Sequence, residues 1–234
     1  MKQKNQNVKN NISPTFQRSL GAKVADKLSE LYPDALCALE YKGDPWRLLI
    51  MARLSAQCTD ARVNLVSERL FDVLPTPEAM AEADITVIEE LIRSCGLYRM
   101  KARDLKEMSR QLIENFGGRV PEKMEELLTL SGVGRKIANL IRGDLFGLPA
   151  IVADTHCIRI CGRLGFYPES LKDPVKVERV LVKAIEPSEQ SDFCHRIVLF
   201  GREICSARAP KCAECPLNEY CKKYTHDMKR KTEK

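Results

Sequence analysis

The chain has 234 residues, of which 44% are hydrophobic, so it is long enough for one large or two small domains with a buried core. It contains no run of roughly 18 apolar residues, and its polar start lacks the apolar segment of a signal peptide, so we expect a cytoplasmic protein with no membrane partner. The net charge of +6 comes from the two ends of the chain, and the slightly acidic middle makes it weak evidence for a nucleic-acid partner.

Helices are the predicted elements along the whole chain. Residues 1–12 are polar and basic and are predicted to form a disordered tail. Asp60 is the expected N-cap of the third helix. Residues 222–234 form a second basic tail, expected to be disordered and solvated or, alternatively, to make auxiliary contacts with DNA. No segment alternates like a β-strand, so the expected fold class is all-α. Apolar residues at helical spacing predict helices over 14–36, 44–55, 60–73, 77–83, 85–94, 100–116, 155–164, 174–185 and 193–201.

Two further helices are predicted on either side of a tight turn, Ser131–Gly134. The apolar positions expected in the core are Leu127, Leu128 and Leu130 before the turn and Ile137, Leu140, Ile141 and Leu145 after it. Gly132 and Gly134 permit positive φ and let a foreign backbone come close, and the N–H groups that begin the second helix form an anion site. The pattern is compatible with a plain helix-turn-helix corner on which Arg135 and Lys136 are solvated. It is equally compatible with a phosphate clamp that has a lysine beside it.

Four of the ten cysteines lie close together near the C-terminus, with the spacing C-x6-C-x2-C-x5-C: Cys205, Cys212, Cys215 and Cys221. Four thiolates in so short a loop can surround one metal centre, and soft sulfur ligands select zinc or an iron–sulfur cluster. The spacing by itself does not distinguish between zinc, an iron–sulfur cluster and the absence of any metal. Cys157 and Cys161 stand at i, i+4 on a predicted helix, but no third ligand is obvious, so they are interpreted as buried small residues.

Five motifs follow one another in a recognisable order. They are Leu54-Ser55-Ala56-Gln57, Gly96-Leu97-Tyr98, the hairpin formed by the turn Ser131–Gly134 and its two flanking helices, Ala153-Asp154-Thr155-His156 and the four terminal cysteines. Together they resemble the helix-hairpin-helix DNA glycosylases of base excision repair and, more narrowly, the endonuclease III family, from about Asp44 to Cys221. One position departs from the family pattern, because Ser131 stands where a proline is usual.

The resemblance implies two helical domains that flank a DNA-binding cleft. One is a continuous six-helix domain at about 37–148 that carries the helix-hairpin-helix motif. The other joins 13–36 to 149–221 and carries a C-terminal iron–sulfur cluster loop. In the family this spacing holds a 4Fe–4S cluster, so Cys205, Cys212, Cys215 and Cys221 are the implied ligands. Arg208 and Lys211 lie in the same loop and resemble residues that contact DNA phosphates.

The resemblance also assigns catalytic roles. Lys136 is the implied nucleophile toward C1′ of a damaged nucleotide. Adjacent Arg135 and the positive end of the helix dipole both disfavour a charge on its amine, which suits a nucleophile. Asp154 matches the catalytic aspartate of the family, although its place at a predicted helix start suits an N-cap equally well.

Further residues are expected to bind DNA. Gln57 and Leu97 match family positions that probe or wedge the duplex once the base has flipped out of the stack. The turn residues Gly132, Val133, Gly134 and Arg135 are expected to contact the DNA backbone.

The implied function is that of a bifunctional DNA glycosylase and AP lyase. It would remove oxidised or ring-saturated pyrimidines through a lysine Schiff base, followed by β-elimination. The expected partner is double-stranded DNA that contains damaged bases or abasic sites, and we expect a monomer in the cytoplasm, associated with the nucleoid. One alternative is an adenine mismatch glycosylase, whose relatives lack a lysine at the position of Lys136 and carry an extra C-terminal domain. The other is a non-catalytic helix-hairpin-helix DNA-binding protein, which would need neither Lys136 nor Asp154.

Overall fold

A computed structural model describes residues 12–232, so the predicted tail over 1–12 lies almost wholly outside the described residues. This part of the chain contains α-helices and short 3₁₀ turns and no strand, which confirms the all-α prediction. None of its helices is both long enough and apolar enough to cross a membrane. It divides into two compact units, one made of Cys37–Leu148 and the other of the chain before and after that segment.

The unit Cys37–Leu148 is built around the helix α2 (Pro45–Leu54), which is buried along almost its entire length. Asp44 begins this helix by accepting hydrogen bonds from the backbone N–H groups of Trp46 and Arg47, and Pro45 occupies its first turn. α2 packs against α3, α6 and α8, while α6 packs against α4 and α5. The helices of this unit are α2 (Pro45–Leu54), α3 (Asp60–Val73), α4 (Pro77–Glu82), α5 (Ile85–Leu91), α6 (Tyr98–Phe116), α7 (Met124–Leu127) and α8 (Arg135–Phe146).

The second unit has a core of its own. α1 packs against α10 and α11, and α9 packs against α11 and α12. Fully buried side chains from four of these helices meet in that core, among them Leu28, Ile160, Leu181, Phe193 and Ile197. The helices are α1 (Pro14–Leu31), α9 (Thr155–Leu164), α10 (Pro174–Ala184), α11 (Gln190–Glu203) and α12 (Lys222–Thr232).

Four local expectations need correction. α1 ends at Leu31 and not at residue 36, because Pro33 disfavours the helical conformation of the residue before it. Thr59, and not Asp60, is the N-cap of α3, since its hydroxyl accepts the N–H of Arg62. Leu128 was expected in the core but is 40% exposed. The basic segment at the C-terminus was expected to be disordered, and residues 222–232 instead form α12.

Candidate active site and cluster loop

The hairpin turn between α7 and α8 is anchored by two apolar side chains. Leu130 and Val133 are both buried, and the N–H of Val133 donates to the carbonyl of Leu130 at 3.1 Å. Because the Val133 side chain points into the core, only its backbone is available to a ligand. The turn therefore has a defined shape that comes from packing inside its own unit.

The two glycines of the turn have different reasons to be glycine. Gly132 has a φ of +74°, and a Cβ there would lie 2.5 Å from Nε of Arg53 and 2.9 Å from Oδ2 of Asp104. Gly134 has a φ of −103°, so it does not use the positive φ that glycine permits, and a Cβ there would meet no atom within 4 Å. Internal packing thus explains Gly132 alone. The space above Gly134 is open to a second molecule.

Lys136 lies in the first turn of α8 and is exposed, as is Arg135. Gly134 is the N-cap of this helix, so no side chain caps it, and the first turn contains no acidic residue. Helix N-terminal N–H groups that lack a side-chain acceptor attract anions. The structure therefore places an exposed amine beside a helix start that no side chain caps, which is the arrangement that the phosphate-clamp interpretation predicts.

Asp154 is the N-cap of α9, and its Oδ1 accepts the backbone N–H of Cys157 at 2.7 Å. Its other carboxylate oxygen makes no hydrogen bond within residues 12–232, so the capping role leaves one oxygen for other chemistry. Three buried thiols lie beneath this helix start, those of Cys157, Cys161 and Cys194. A hydrogen bond with Cys161 and burial raise the pKa of Cys157, and a hydrogen bond with Cys157 and burial raise the pKa of Cys194. Cys157 and Cys194 therefore stay uncharged near the carboxylate.

Gln57 and Leu97 share an unusual backbone conformation. Their φ values are +55° and +60°, and both side chains are exposed. Few non-glycine residues adopt positive φ, and such strain is concentrated at functional sites. Their two loops touch, since a Cβ on Gly96 would lie 3.5 Å from the carbonyl oxygen of Gln57. Beneath them Lys101 is fully buried and donates to the carbonyl of Leu54 at 2.8 Å, and burial lowers the pKa of Lys101.

The four terminal cysteines line a single pocket, together with apolar residues of α9 and α11. Arg163 holds the start of this loop, because its guanidinium donates to Sγ of Cys205 at 3.3 Å and to the carbonyls of Ser206 and Ala207 at 2.7 and 2.9 Å. Four cysteine sulfurs around one pocket form a donor set that, once deprotonated, suits an iron–sulfur cluster. Arg208 and Lys211 project from the same loop and are both exposed.

Comparison with known proteins supports the interpretation of both the helical region and the cysteine loop. Residues 50–187 match the family of HhH-GPD superfamily base excision DNA repair proteins, and residues 205–221 match the iron-sulfur binding domain of endonuclease III. The chain is 45% identical to endonuclease III of Synechocystis over 83% of its own length and 88% of that protein. It is 41% identical to endonuclease III of Bacillus subtilis over 84% of its own length and 89% of that protein. The chain belongs to the endonuclease III family.

The structures agree with the sequences. A trapped endonuclease III–DNA covalent intermediate superimposes with a TM-score of 0.85 at 40% identity, covering 93% of this chain and 99% of that one. Like the rest of the endonuclease III family, this chain is a bifunctional DNA glycosylase and AP lyase of base excision repair that binds DNA and carries a 4Fe–4S cluster. The expected enzyme activity and cofactor are thereby confirmed, in preference to the mismatch glycosylase and the non-catalytic DNA-binding protein.

Some residues around the site were missed by the sequence interpretation. Arg53 and Asp104 lie directly under the hairpin turn, and Gln111 accepts a hydrogen bond from it. Cys194 joins Cys157 and Cys161 under the start of α9. Each of these contacts joins residues that are far apart in the chain, so no local pattern could have revealed them.

Proposed function

We propose that Lys136 is the nucleophile of the glycosylase reaction. The observation that carries this proposal is the place of Lys136, an exposed amine in the first turn of a helix that no side chain caps. The Nζ lone pair would attack C1′, the bond from C1′ to the base would break, and the base would leave with the bonding electrons and take up a proton. The C1′–O4′ bond would then open to give a Schiff base, with the Nζ proton passing to O4′.

The lyase step would follow from that Schiff base. Loss of a proton from C2′ and departure of the 3′ phosphate complete a β-elimination that cuts the strand 3′ to the lesion. The substrates that we propose are oxidised or ring-saturated pyrimidines in double-stranded DNA, and abasic sites. A relative that is 40% identical forms a covalent intermediate with DNA, which supports covalent chemistry in this chain.

We assign Asp154 the role of stabilising charge on the sugar. One of its oxygens caps α9, which holds the carboxylate in a fixed orientation. The other oxygen would face the positive charge that develops at C1′ as the base departs, and it could accept the proton that the lysine amine must lose. Uncharged thiols beneath it add no competing negative charge.

Binding of the duplex is assigned to three groups of residues. Backbone amides from Gly132 to Arg135 would hold a phosphate, Gln57 and Leu97 would enter the duplex at the lesion, and Arg208 with Lys211 would contact phosphates from the cluster loop. Cys205, Cys212, Cys215 and Cys221 would hold the 4Fe–4S cluster, which supplies a rigid frame for that loop. The enzyme would act as a monomer bound to the nucleoid, with the domains 37–148 and 13–36 plus 149–221 suggested by the two compact units.

Trapping with borohydride tests the nucleophile. Lys136→Gln shortens the side chain by one atom and keeps a hydrogen-bond donor but removes the amine, so it should bind a duplex with an oxidised pyrimidine, form no trapped adduct and release almost no base. Asp154→Asn keeps the amine, so adduct should still form on a pre-formed abasic site. Its base release should fall about 100-fold if the carboxylate contributes roughly 3 kcal/mol of charge stabilisation.

The amount of trapped adduct that Lys136→Gln forms decides whether Lys136 is the nucleophile. A wild-type amount of adduct would show that another amine attacks C1′, and the assignment of Lys136 would be wrong. If Lys136→Gln forms no adduct but Asp154→Asn releases base at the wild-type rate, the nucleophile stands and the role of Asp154 is limited to capping α9.

A further inference from the structure

A buried charge pair lies beneath the hairpin turn. Arg53 comes from α2 and Asp104 from α6, and their side chains are 8% and 18% exposed. Nε of Arg53 donates to Oδ2 of Asp104 at 2.8 Å, and Nη2 donates to the same oxygen. The arginine therefore occupies one carboxylate oxygen and leaves the other for a different partner.

That partner is the turn itself. Ser131 Oγ donates to Oδ1 of Asp104 at 3.1 Å, and the backbone N–H of Ser131 donates to Oε1 of Gln111 at 2.7 Å. Asp104 and Gln111 stand two turns apart on α6, so one face of that helix holds both polar groups of Ser131. Gly132 lies directly on the charge pair, since no Cβ fits between it and Arg53.

We propose that Arg53, Asp104 and Ser131 are positioning residues for DNA binding, which orient the hairpin so that the first amides of α8 face a backbone phosphate. This inference rests on the proposed phosphate-binding role of the hairpin. Arg53 is buried and Asp104 mostly so, and both are bonded to each other against the turn, so they act through Ser131 and Gly132. Ser131 stands where the endonuclease III pattern usually has a proline, and it offers an N–H and a hydroxyl that proline lacks.

The physical basis is the direction of the hydrogen bonds. Leu130 and Val133 are buried and hold the apolar side of the turn on the core, while hydrogen bonds to Asp104 and Gln111 hold its polar side. The Ser131 hydroxyl donates at 3.1 Å to a carboxylate, and the charge of that acceptor strengthens the bond relative to one between neutral groups. Because two donors from Arg53 hold that carboxylate still, the bond from Ser131 fixes the tilt of the turn. A small change of tilt moves the amides of α8 relative to a phosphate and weakens their hydrogen bonds.

Ser131→Ala tests the proposal with little disturbance, since it removes the hydroxyl and keeps the N–H that Gln111 accepts. We expect its affinity for undamaged and damaged duplex to fall together, by about 3- to 10-fold. Its kcat on saturating abasic-site DNA should remain within about twofold of wild type, because bound DNA still meets Lys136. Ser131→Thr keeps a hydroxyl and should recover most of the affinity.

Thr129→Ala is the matched control. Thr129 lies two residues earlier, and its hydroxyl donates to the carbonyl of Glu126 at 2.7 Å, away from the charge pair. This variant should bind duplex as wild type does. Equal affinities of Ser131→Ala and Thr129→Ala would overturn the proposal, as would a fall in the melting temperature of Ser131→Ala with no change in affinity well below that temperature.

A double-mutant cycle tests the link to Asp104. In Asp104→Asn the amide oxygen should stay with Arg53, so the NH2 group faces the Ser131 hydroxyl and the charge-assisted contact is lost. Asp104→Asn should therefore lower duplex affinity at least as much as Ser131→Ala does, and the double variant should bind no more weakly than Asp104→Asn alone. Glu114→Gln is its control, since Glu114 pairs with Arg110 on the exposed face of the same helix. Additive losses would overturn the link, and if Asp104→Asn does not fold, the Ser131 variants still decide.

A different experiment tests the proposed phosphate-binding role of the hairpin. If Gly134→Asp, which introduces a carboxylate at the start of α8, leaves duplex affinity unchanged, the hairpin does not bind phosphate. If that change weakens binding while Ser131→Ala does not, the clamp stands and only the positioning role is wrong.

Discussion

The hairpin and the cluster loop are two ways of presenting cations on an irregular segment. The hairpin carries Arg135 and Lys136 and is supported from inside by buried apolar residues and by the Arg53–Asp104 pair. The cluster loop over 205–221 carries Arg208 and Lys211, yet Leu217 is its one buried residue. Packing shapes the first segment, whereas we propose that cluster ligation shapes the second. They should therefore respond differently to mutation.

Loss of a cluster ligand should have the largest effect. Purified protein should be brown, with about four irons per chain, and Cys212→Ser should lose iron and become poorly soluble, because the loop has almost no core without its metal centre. Metal analysis and solubility measure this. Cys58→Ser, a change at a partly buried cysteine outside the loop, should keep the full iron content.

Zinc in place of iron at one atom per chain would contradict the cluster assignment. Full iron content in Cys212→Ser would remove Cys212 from the ligand set. Either result would weaken the contrast between a ligated loop and a packed hairpin.

A methyl group at Gly132 should have the next largest effect. Gly132→Ala combines positive φ with a Cβ that lies 2.5 Å from Nε of Arg53. We expect a loss of unfolding free energy of roughly 2–4 kcal/mol from strain and overpacking, measured by urea denaturation. Gly147→Ala also has positive φ but meets no atom within 4 Å, so it should cost only the backbone strain. Equal losses in the two variants would show that the charge pair gives way easily and does not set the shape of the turn.

A carboxylate at Gly134 should have the smallest effect on the fold and a clear effect on binding. Gly134→Asp places an N-cap acceptor at the start of α8 where there is open space, so stability should be unchanged or rise by a few tenths of a kcal/mol. Duplex affinity should fall about 10-fold or more, because the carboxylate occupies the amides and repels phosphate.

The comparison between damaged and undamaged duplex sharpens this result. Similar losses for both would support contact with the DNA backbone, whereas a loss confined to damaged duplex would place the hairpin at the lesion. Gly132 and Gly134, two residues apart, thus separate what the turn needs for its own shape from what it needs for its ligand.

The sequence by itself determined the features that depend on residues within one or two helical turns of each other. Apolar spacing located nearly every helix, Asp44-Pro45 and Asp154 marked helix starts, and the cysteine spacing pointed to a possible metal site that the family resemblance assigned to a cluster. These patterns can be interpreted from a single sequence because hydrogen bonds and side-chain contacts in a helix join residues three or four positions apart.

Only the tertiary structure decided what supports the site. Arg53 lies 51 residues from Asp104, and Asp104 lies 27 residues from Ser131, so no local pattern connects them. The positive φ of Gln57 and Leu97, and the single positive φ within the hairpin at Gly132, likewise depend on packing between segments. Contacts between residues so distant in the chain form only when the core has brought their helices together. That is why the sequence could point to the proposed catalytic residues but not to the charge pair beneath the hairpin.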